Sequence, residues 1–224
     1  VKVYHKKTSS AGSPPLPVPV PYFDATNGGR NHLLQNNGQW RVADITDDVG
    51  LNVDNHRFSY AAIWIDFDND GDQDLWVAND FGRINLFRNN LAEGKRNFQD
   101  VGPSMGLLAG AFGMSASAAD VNRDGFEDVY VANMFSSAGN RVSRQSKFRP
   151  GDSPEQRVKF THLAGGNSLL LNQHVRSFAD VAGPAGVTMG RWGWGANFID
   201  VNNDGWDDLL ATNGYISGEN PDDL

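Results

Sequence analysis

Three nine-residue windows constrain this chain more than anything else in it. They are DFDNDGDQD at Asp66–Asp74, DVNRDGFED at Asp120–Asp128 and DVNNDGWDD at Asp200–Asp208. Each follows a segment that opens on an aromatic residue, Phe58, Phe112 or Trp192, and each runs straight into a short apolar stretch: LWVAN, VYVAN or LLATN. A second block recurs in the same order. LLQNN (Leu33–Asn37), LFRNN (Leu86–Asn90) and LLLNQ (Leu169–Gln173) are each followed by VADI, FQDV or FADV, and then by Gly50–Leu51, Gly106–Leu107 or Gly186–Val187. Two unlike blocks repeated three times in one order define a structural repeat.

The repeated segments are short, rich in β-branched and aromatic residues, and bounded by Gly, Asn and Asp, which reads as strands. No window carries a sustained 3.6-residue apolar period, so no helix is predicted. Each unit offers four strands: one before the Asp-rich loop, one after it, the Leu-rich strand and the Phe-x-Asp-Val strand. Four strands in a unit of about 40–50 residues is the pattern of a propeller blade. The predicted fold is an all-β propeller of four-stranded antiparallel blades. Residues 58–107 and 112–187 supply two complete blades, 31–51 a half-blade of last strands and 192–216 a half-blade of first strands. An insertion at 136–166 stretches the second unit. Because propellers close with four to eight blades, the half-unit at each end predicts either a longer chain or a larger assembly that covers the open edges.

The loops have the oxygen pattern that calcium prefers, six to eight hard oxygen ligands. In D-x-[DN]-x-D-G-x-x-D the first, third, fifth and ninth positions supply side-chain oxygens, the seventh a backbone carbonyl, and glycine at the sixth allows the sharp turn. Three calcium sites are predicted. The first uses Asp66, Asp68, Asp70 and Asp74 with the carbonyl of Asp72. The second uses Asp120, Asn122, Asp124 and Asp128 with the carbonyl of Phe126. The third uses Asp200, Asn202, Asp204 and Asp208 with the carbonyl of Trp206. Asn for Asp at the third position removes one charge, so the first site is expected to bind most tightly. An EF-hand shares the opening pattern but needs Glu at the twelfth position and flanking helices. That position holds Val77, Val131 and Ala211 here. The plainer alternative, Asx-turns between strands, leaves four crowded carboxylates in the first loop without a counter-charge.

Charge supports local compensation. Of 27 acidic residues, 13 lie in the three windows, and three divalent ions would bring the formal charge from −8 to −2. An acidic chain of this kind does not suit nucleic acid, whose phosphates need basic faces. The absence of cysteine excludes disulfides, zinc-thiolate sites and thiol nucleophiles. No run approaches the apolar length of a membrane span.

These residues resemble the FG-GAP/VCBS repeat propellers, and most closely the bacterial cartilage-acidic-protein-like chains associated with ASPIC/UnbV domains. Integrin α propellers carry similar calcium loops. The resemblance rests on WGWGANFIDVNNDGWDDLLATNGY (Trp192–Tyr215), FDNDGDQDLWVANDFG (Phe67–Gly82) and VANMFSSAGNR (Val131–Arg141), and it covers about 31–216. It implies a calcium-loaded binding or scaffolding module that is extracellular, at the cell surface or periplasmic, with no shared enzymatic activity.

The remaining features are weaker. The insertion carries six cations, Arg141, Arg144, Lys147, Arg149, Arg157 and Lys159, against Asp152 and Glu155. It is expected either to meet a protein or acidic glycan partner or simply to pack as a basic loop. Residues 1–30, with SSAGSPPLPVPVP at Ser9–Pro21, read as an extended linker. Phe58, Phe112, Trp192 and Trp194 fit core packing better than sugar stacking. Asp44, Asp100 and Asp180 fit backbone-capping turns better than acid catalysis. The five histidines share no register. No signature of nucleophilic, phosphate-binding or zinc-dependent catalysis is present, and the expectation is a non-enzyme. A polysaccharide hydrolase or lyase, and a structural subunit of a surface assembly, are the alternatives. The hydrolase would need only two carboxylates brought together by folding.

Overall fold

The computed structural model describes residues 18–107 and 110–214. Most of the proline-rich leader, Leu108 and Ala109 between the two complete units, and the last two residues of the 192–216 half-blade lie outside the described residues.

The repeat becomes strands where alternation is cleanest. The first half-blade is the pair β1 (Leu34–Asn36) and β2 (Val42–Asp44). The first complete blade contains β3 (Phe58–Ile65), β4 (Asp74–Asp80), β6 (Asn85–Asn89) and β7 (Phe98–Asp100), hydrogen-bonded in chain order as an antiparallel meander. The second contains β9 (Gly113–Ala119), β10 (Asp128–Asn133), β11 (Ser168–Asn172) and β12 (Phe178–Asp180), again in chain order. The last half-blade is the pair β13 (Gly193–Ile199) and β14 (Asp208–Asn213). The arrangement is all-β with antiparallel four-stranded sheets, as propeller blades require. A small extra pair, β5 (Gly82–Arg83) with β8 (Gly110–Ala111), ties one blade to the next and has no counterpart in the repeat as read from sequence.

Three apolar clusters alternate with the sheets. Val49, Leu51, Val77 and Phe87 fill the space between the first half-blade and the first blade. Ile65, Trp76, Leu86, Val129, Val131 and Leu170 join the two complete blades. Tyr130, Leu169 and Ala182, with Phe198 and Leu209 packed against them, join the second blade to the last half-blade. Side chains alternate along each strand, so one blade serves two cores. In β4, Leu75 faces the preceding sheet and Trp76 the following one. In β10, Val129 and Tyr130 do the same.

The insertion departs from expectation. It contains two helices, α1 (Ser137–Ser143) and α2 (Pro154–Leu163). α2 has no apolar stripe, which is why periodicity misses it. Local signals specify it instead: Ser153 caps the helix, Pro154 occupies its first turn, and Gln156 completes a reciprocal capping box. Phe160 of α2 lies 5.7 Å from Phe148, 5.6 Å from Phe23 and 6.5 Å from Tyr22, between ring centres. Tyr22 reaches on to Phe81 and Phe112, and Phe58 also meets Phe81. Part of the leader and the insertion thus close together over the strand ends opposite the Asp-rich loops. Phe58 and Phe112 are packed aromatics, as the sequence suggests.

Candidate metal-binding loops

Each Asp-rich window connects the first two strands of a unit, and all three loops share one hydrogen-bond plan. The first Asp accepts from the backbone N–H groups of the fifth and sixth residues. In the first loop Asp70 and Gly71 donate to Asp66, each at 3.1 Å. In the second, Asp124 and Gly125 donate to Asp120 at 3.0 and 2.8 Å. In the third, Asp204 and Gly205 donate to Asp200 at 3.1 and 2.7 Å. The turn needs two successive departures from ordinary backbone. Asn69, Arg123 and Asn203 adopt φ of 57°, 60° and 59°, and Gly71, Gly125 and Gly205 adopt 91°, 89° and 84°. Asn tolerates the left-handed region better than most residues and glycine tolerates it freely.

The ninth Asp anchors the loop. Asp74 is fully buried: one oxygen accepts from Phe67 N at 3.2 Å and the other from Asn89 N of β6 at 2.7 Å. Asp128 is equally buried and accepts from Val121 N and Asn172 N at 3.1 and 2.8 Å. Burial pushes the Asp74 carboxyl up to about 7 and the Asp128 carboxyl up to about 6. Desolvation and the neighbouring Asp70 raise Asp68 as well. A cation sharing such a site would favour the charged carboxylates and oppose this rise.

The residues fit a hard cation best in the first loop. Carboxylate oxygens of Asp66, Asp68 and Asp74 lie within 4.8 Å of one another. Asp68 Oδ1 and Asp72 Oδ1 are buried without a hydrogen-bond partner, an expensive state for oxygen atoms that no ligand serves. Asp70 sits at the exposed rim, where its Oδ1 accepts from Asp72 N. The Asp72 side chain also accepts from Ala92 N at 2.8 Å, which leaves its main-chain carbonyl as the group read as a ligand.

The other two loops are arranged differently at the third and fifth positions. Asn122 Nδ2 donates to Asp124 Oδ2, and Asn202 Nδ2 to Asp204 Oδ2, each at 3.0 Å. A cation there would have to replace that amide contact. Phe126 packs its ring 5.1 Å from His174, and Trp206 lies beneath the Arg123 guanidinium at 3.8 Å. Asp208 is exposed.

Neighbouring loops are tied sideways. Glu127 accepts from Asp66 N at 2.9 Å, Asn69 donates to the Gly125 carbonyl at 2.7 Å, and Asn172 donates to the Phe67 carbonyl at 2.7 Å. Glu127 and these amides escape a reading made loop by loop, because their partners lie about one repeat or more away in sequence. The same is true of a buried ion-pair chain at the opposite strand ends. Arg57 pairs with Asp24 and Asp54, and Arg83 with Asp54 and Asp100. The recurrent Asp44, Asp100 and Asp180 cap turns as expected, accepting from Thr46 N, Gly102 N and Ala182 N, each at 3.0 Å.

An FG-GAP-like repeat is found at residues 66–131, from the first Asp of the first loop into the strand after the second loop. A comparison with curated proteins finds no match. Among the described residues, no helix is long and apolar enough to cross a membrane.

Proposed function

We propose that this chain is a calcium-stabilised, β-propeller-type protein-binding module that works outside the cytoplasm. The FG-GAP-like repeat supports the binding-module class. The convergence of Asp66, Asp68 and Asp74, with Asp68 Oδ1 buried and unpartnered, carries the calcium reading. Asp66, Asp68, Asp70, Asp74 and the Asp72 carbonyl would hold the first ion, and the equivalent residues of the other loops two more. The ion's part is structural: it neutralises the loop and fixes the hairpin that each blade is built on. Extracellular calcium modules bind with Kd near 10⁻⁴–10⁻³ M, an affinity useful only where calcium is millimolar. The kinship with cartilage-acidic-protein-like chains belongs to the same proposal and rests on Trp192–Tyr215 and its counterparts.

The partner surface is assigned to the insertion. Arg141 on α1, Arg144 at its C-terminal end and Lys147 in the turn beyond are exposed, and they suit an acidic protein surface or glycan. The hydrolase alternative needs two carboxylates facing one cavity outside the loops. The cavity between the first half-blade and the first complete blade, lined by residues such as Leu33, Trp64, Val77 and Phe87, has no carboxylate in its lining.

Thermal unfolding tests the calcium reading. Calcium at 100 times its Kd should stabilise the chain by about 2.7 kcal/mol per site, and EGTA should reverse the shift. Magnesium should do much less, since it dehydrates reluctantly and disfavours all-protein cages. An unfolding curve indifferent to EGTA would sink the proposal.

A further inference from the structure

We infer that a cavity between the two complete blades, bordered by His162 of α2, is a binding site for a guanidinium group. The two complete blades, compared position by position, carry this. Neither the calcium sites nor the cations of the insertion enter into it.

Strand register fixes which positions correspond. Val77 pairs with Asn85 and Val131 with Ser168, so Asn85 and Ser168 are equivalent. Asn79 Nδ2 donates to the Arg83 carbonyl at 2.7 Å, and Asn133 Nδ2 to the Gly166 carbonyl at 2.9 Å, so Gly166 stands where Arg83 does. Arg57 and Ala111 each precede the aromatic residue that opens a unit, and Asp100 and Asp180 cap equivalent turns.

In the first blade the chain itself saturates the acid. Arg83 and Asn85 both donate to Asp100 Oδ2, at 2.6 and 2.8 Å, and Arg83 also bonds Asp54, which in turn holds Arg57. In the second blade these donors are gone: Ala111 replaces Arg57, Gly166 replaces Arg83 and Ser168 replaces Asn85. The acid remains. Asp180 Oδ1 accepts from Leu169 N and Ala182 N, but among the described residues nothing donates to its Oδ2. A second acceptor is stranded in the same blade. Ser59 pairs with Asn79 and its hydroxyl donates to Asn79 Oδ1 at 2.7 Å. Gly113 pairs with Asn133 instead, and the buried Asn133 Oδ1 has no donor.

The smaller side chains leave a cavity of about 100 Å³, lined by Asn133, His162, Ser168 and Asp180 and by apolar residues such as Leu107 and Phe178. One water needs only about 10–15 Å³ of such space, so the cavity has room for a larger polar group. An unsatisfied buried acceptor is costly. A guanidinium carries five N–H donors and no acceptor, so it can serve the carboxylate and the amide oxygen together, and its weakly hydrated planar faces suit apolar walls. His162 does not supply the missing cation, because burial holds its imidazole below the usual range and it stays neutral at pH 7. The chain cannot refill the space from Gly166 either: its φ is 95°, and a Cβ there would strike the Thr188 carbonyl. Arg144 and Arg157 line a separate groove that His162 also borders. Their like charge directs a cation to enter past Asp180, which is exposed.

Methylguanidinium titrated into the whole chain, followed by amide NMR against equal concentrations of sodium chloride, tests this. The backbone amides of Gly166, Ser168 and Ala182 and the Asn133 side-chain amide should shift and saturate with a millimolar Kd, as suits so small a ligand. Asp180→Asn keeps the Oδ1 that caps the turn and removes the charge, and should weaken binding about tenfold or more. Ser168→Asn restores the donor that the first blade uses and should abolish binding in a folded chain; if that variant does not fold, the Asp180→Asn measurement stands by itself. Free arginine and an arginine-containing peptide carry the same group. Tighter binding of the peptide would assign the cavity to a protein partner and equal binding to a small guanidino compound, and either supports the inference. Shifts no larger than those in sodium chloride, methylammonium binding as tightly as methylguanidinium, or wild-type affinity in Asp180→Asn would each overturn it.

Discussion

The first and third loops are near copies in sequence and in hydrogen-bond plan, yet they occupy different physical situations. Asp74 closes a loop that four strands support, buried and bonded on both oxygens. Among the described residues, Asp208 closes a loop that two strands support, exposed and bonded on one oxygen. The difference teaches that the anchoring of these loops belongs to the blade and not to the nine residues. The third strand, about 15 residues downstream of the ninth Asp in the first blade, turns a surface turn into a buried carboxylate site.

Substitution of that anchor should separate the two loops most widely. Asp74→Ala in EGTA leaves two buried N–H groups without acceptors, and should cost about 3 kcal/mol in urea unfolding. Asp208→Ala should cost less than about 1 kcal/mol, as exposed sites usually do. Equal losses would break the comparison. Removal of charge comes next. Asp68→Asn should weaken calcium at the first loop about tenfold, and Asn202→Asp should strengthen it at the third by a smaller factor, because exposed charges are better screened. Isothermal titration reads both. Gly71→Ala forces a side chain into a left-handed backbone and should cost about 1 kcal/mol. Gly205→Ala carries the same strain in a loop that opens locally, so its global cost should be about half or less. An effect of similar size to that at Gly205 is expected at Arg123→Ala, which removes the guanidinium from Trp206. A loss of about 0.5–1 kcal/mol should appear as faster amide exchange confined to β13 and β14.

Much of the fold was legible because it is written three times. The antiparallel four-stranded sheets and the turn-capping role of Asp44, Asp100 and Asp180 follow from residues that recur in register. What occurs once was harder to read. α2 declares itself through Ser153, Pro154 and Gln156 and not through an apolar stripe. The Arg57 and Arg83 ion pairs join Asp24, Asp54 and Asp100 across long separations, and no local pattern announces them. The clustering of Asp66, Asp68 and Asp74 in the first loop was legible from their spacing. The sideways ties through Glu127 and Asn69 were not, because they depend on how adjacent blades are placed.

The insertion follows the second strand of its blade, whereas the Asp-rich loops precede it. The two therefore sit at opposite rims, a strand length or roughly 20 Å apart. One rim concentrates negative charge on a rigid scaffold; the other presents cations on helices laid over aromatic rings. Such a body has a front and a back. Whatever meets the basic rim would leave the acidic one facing away.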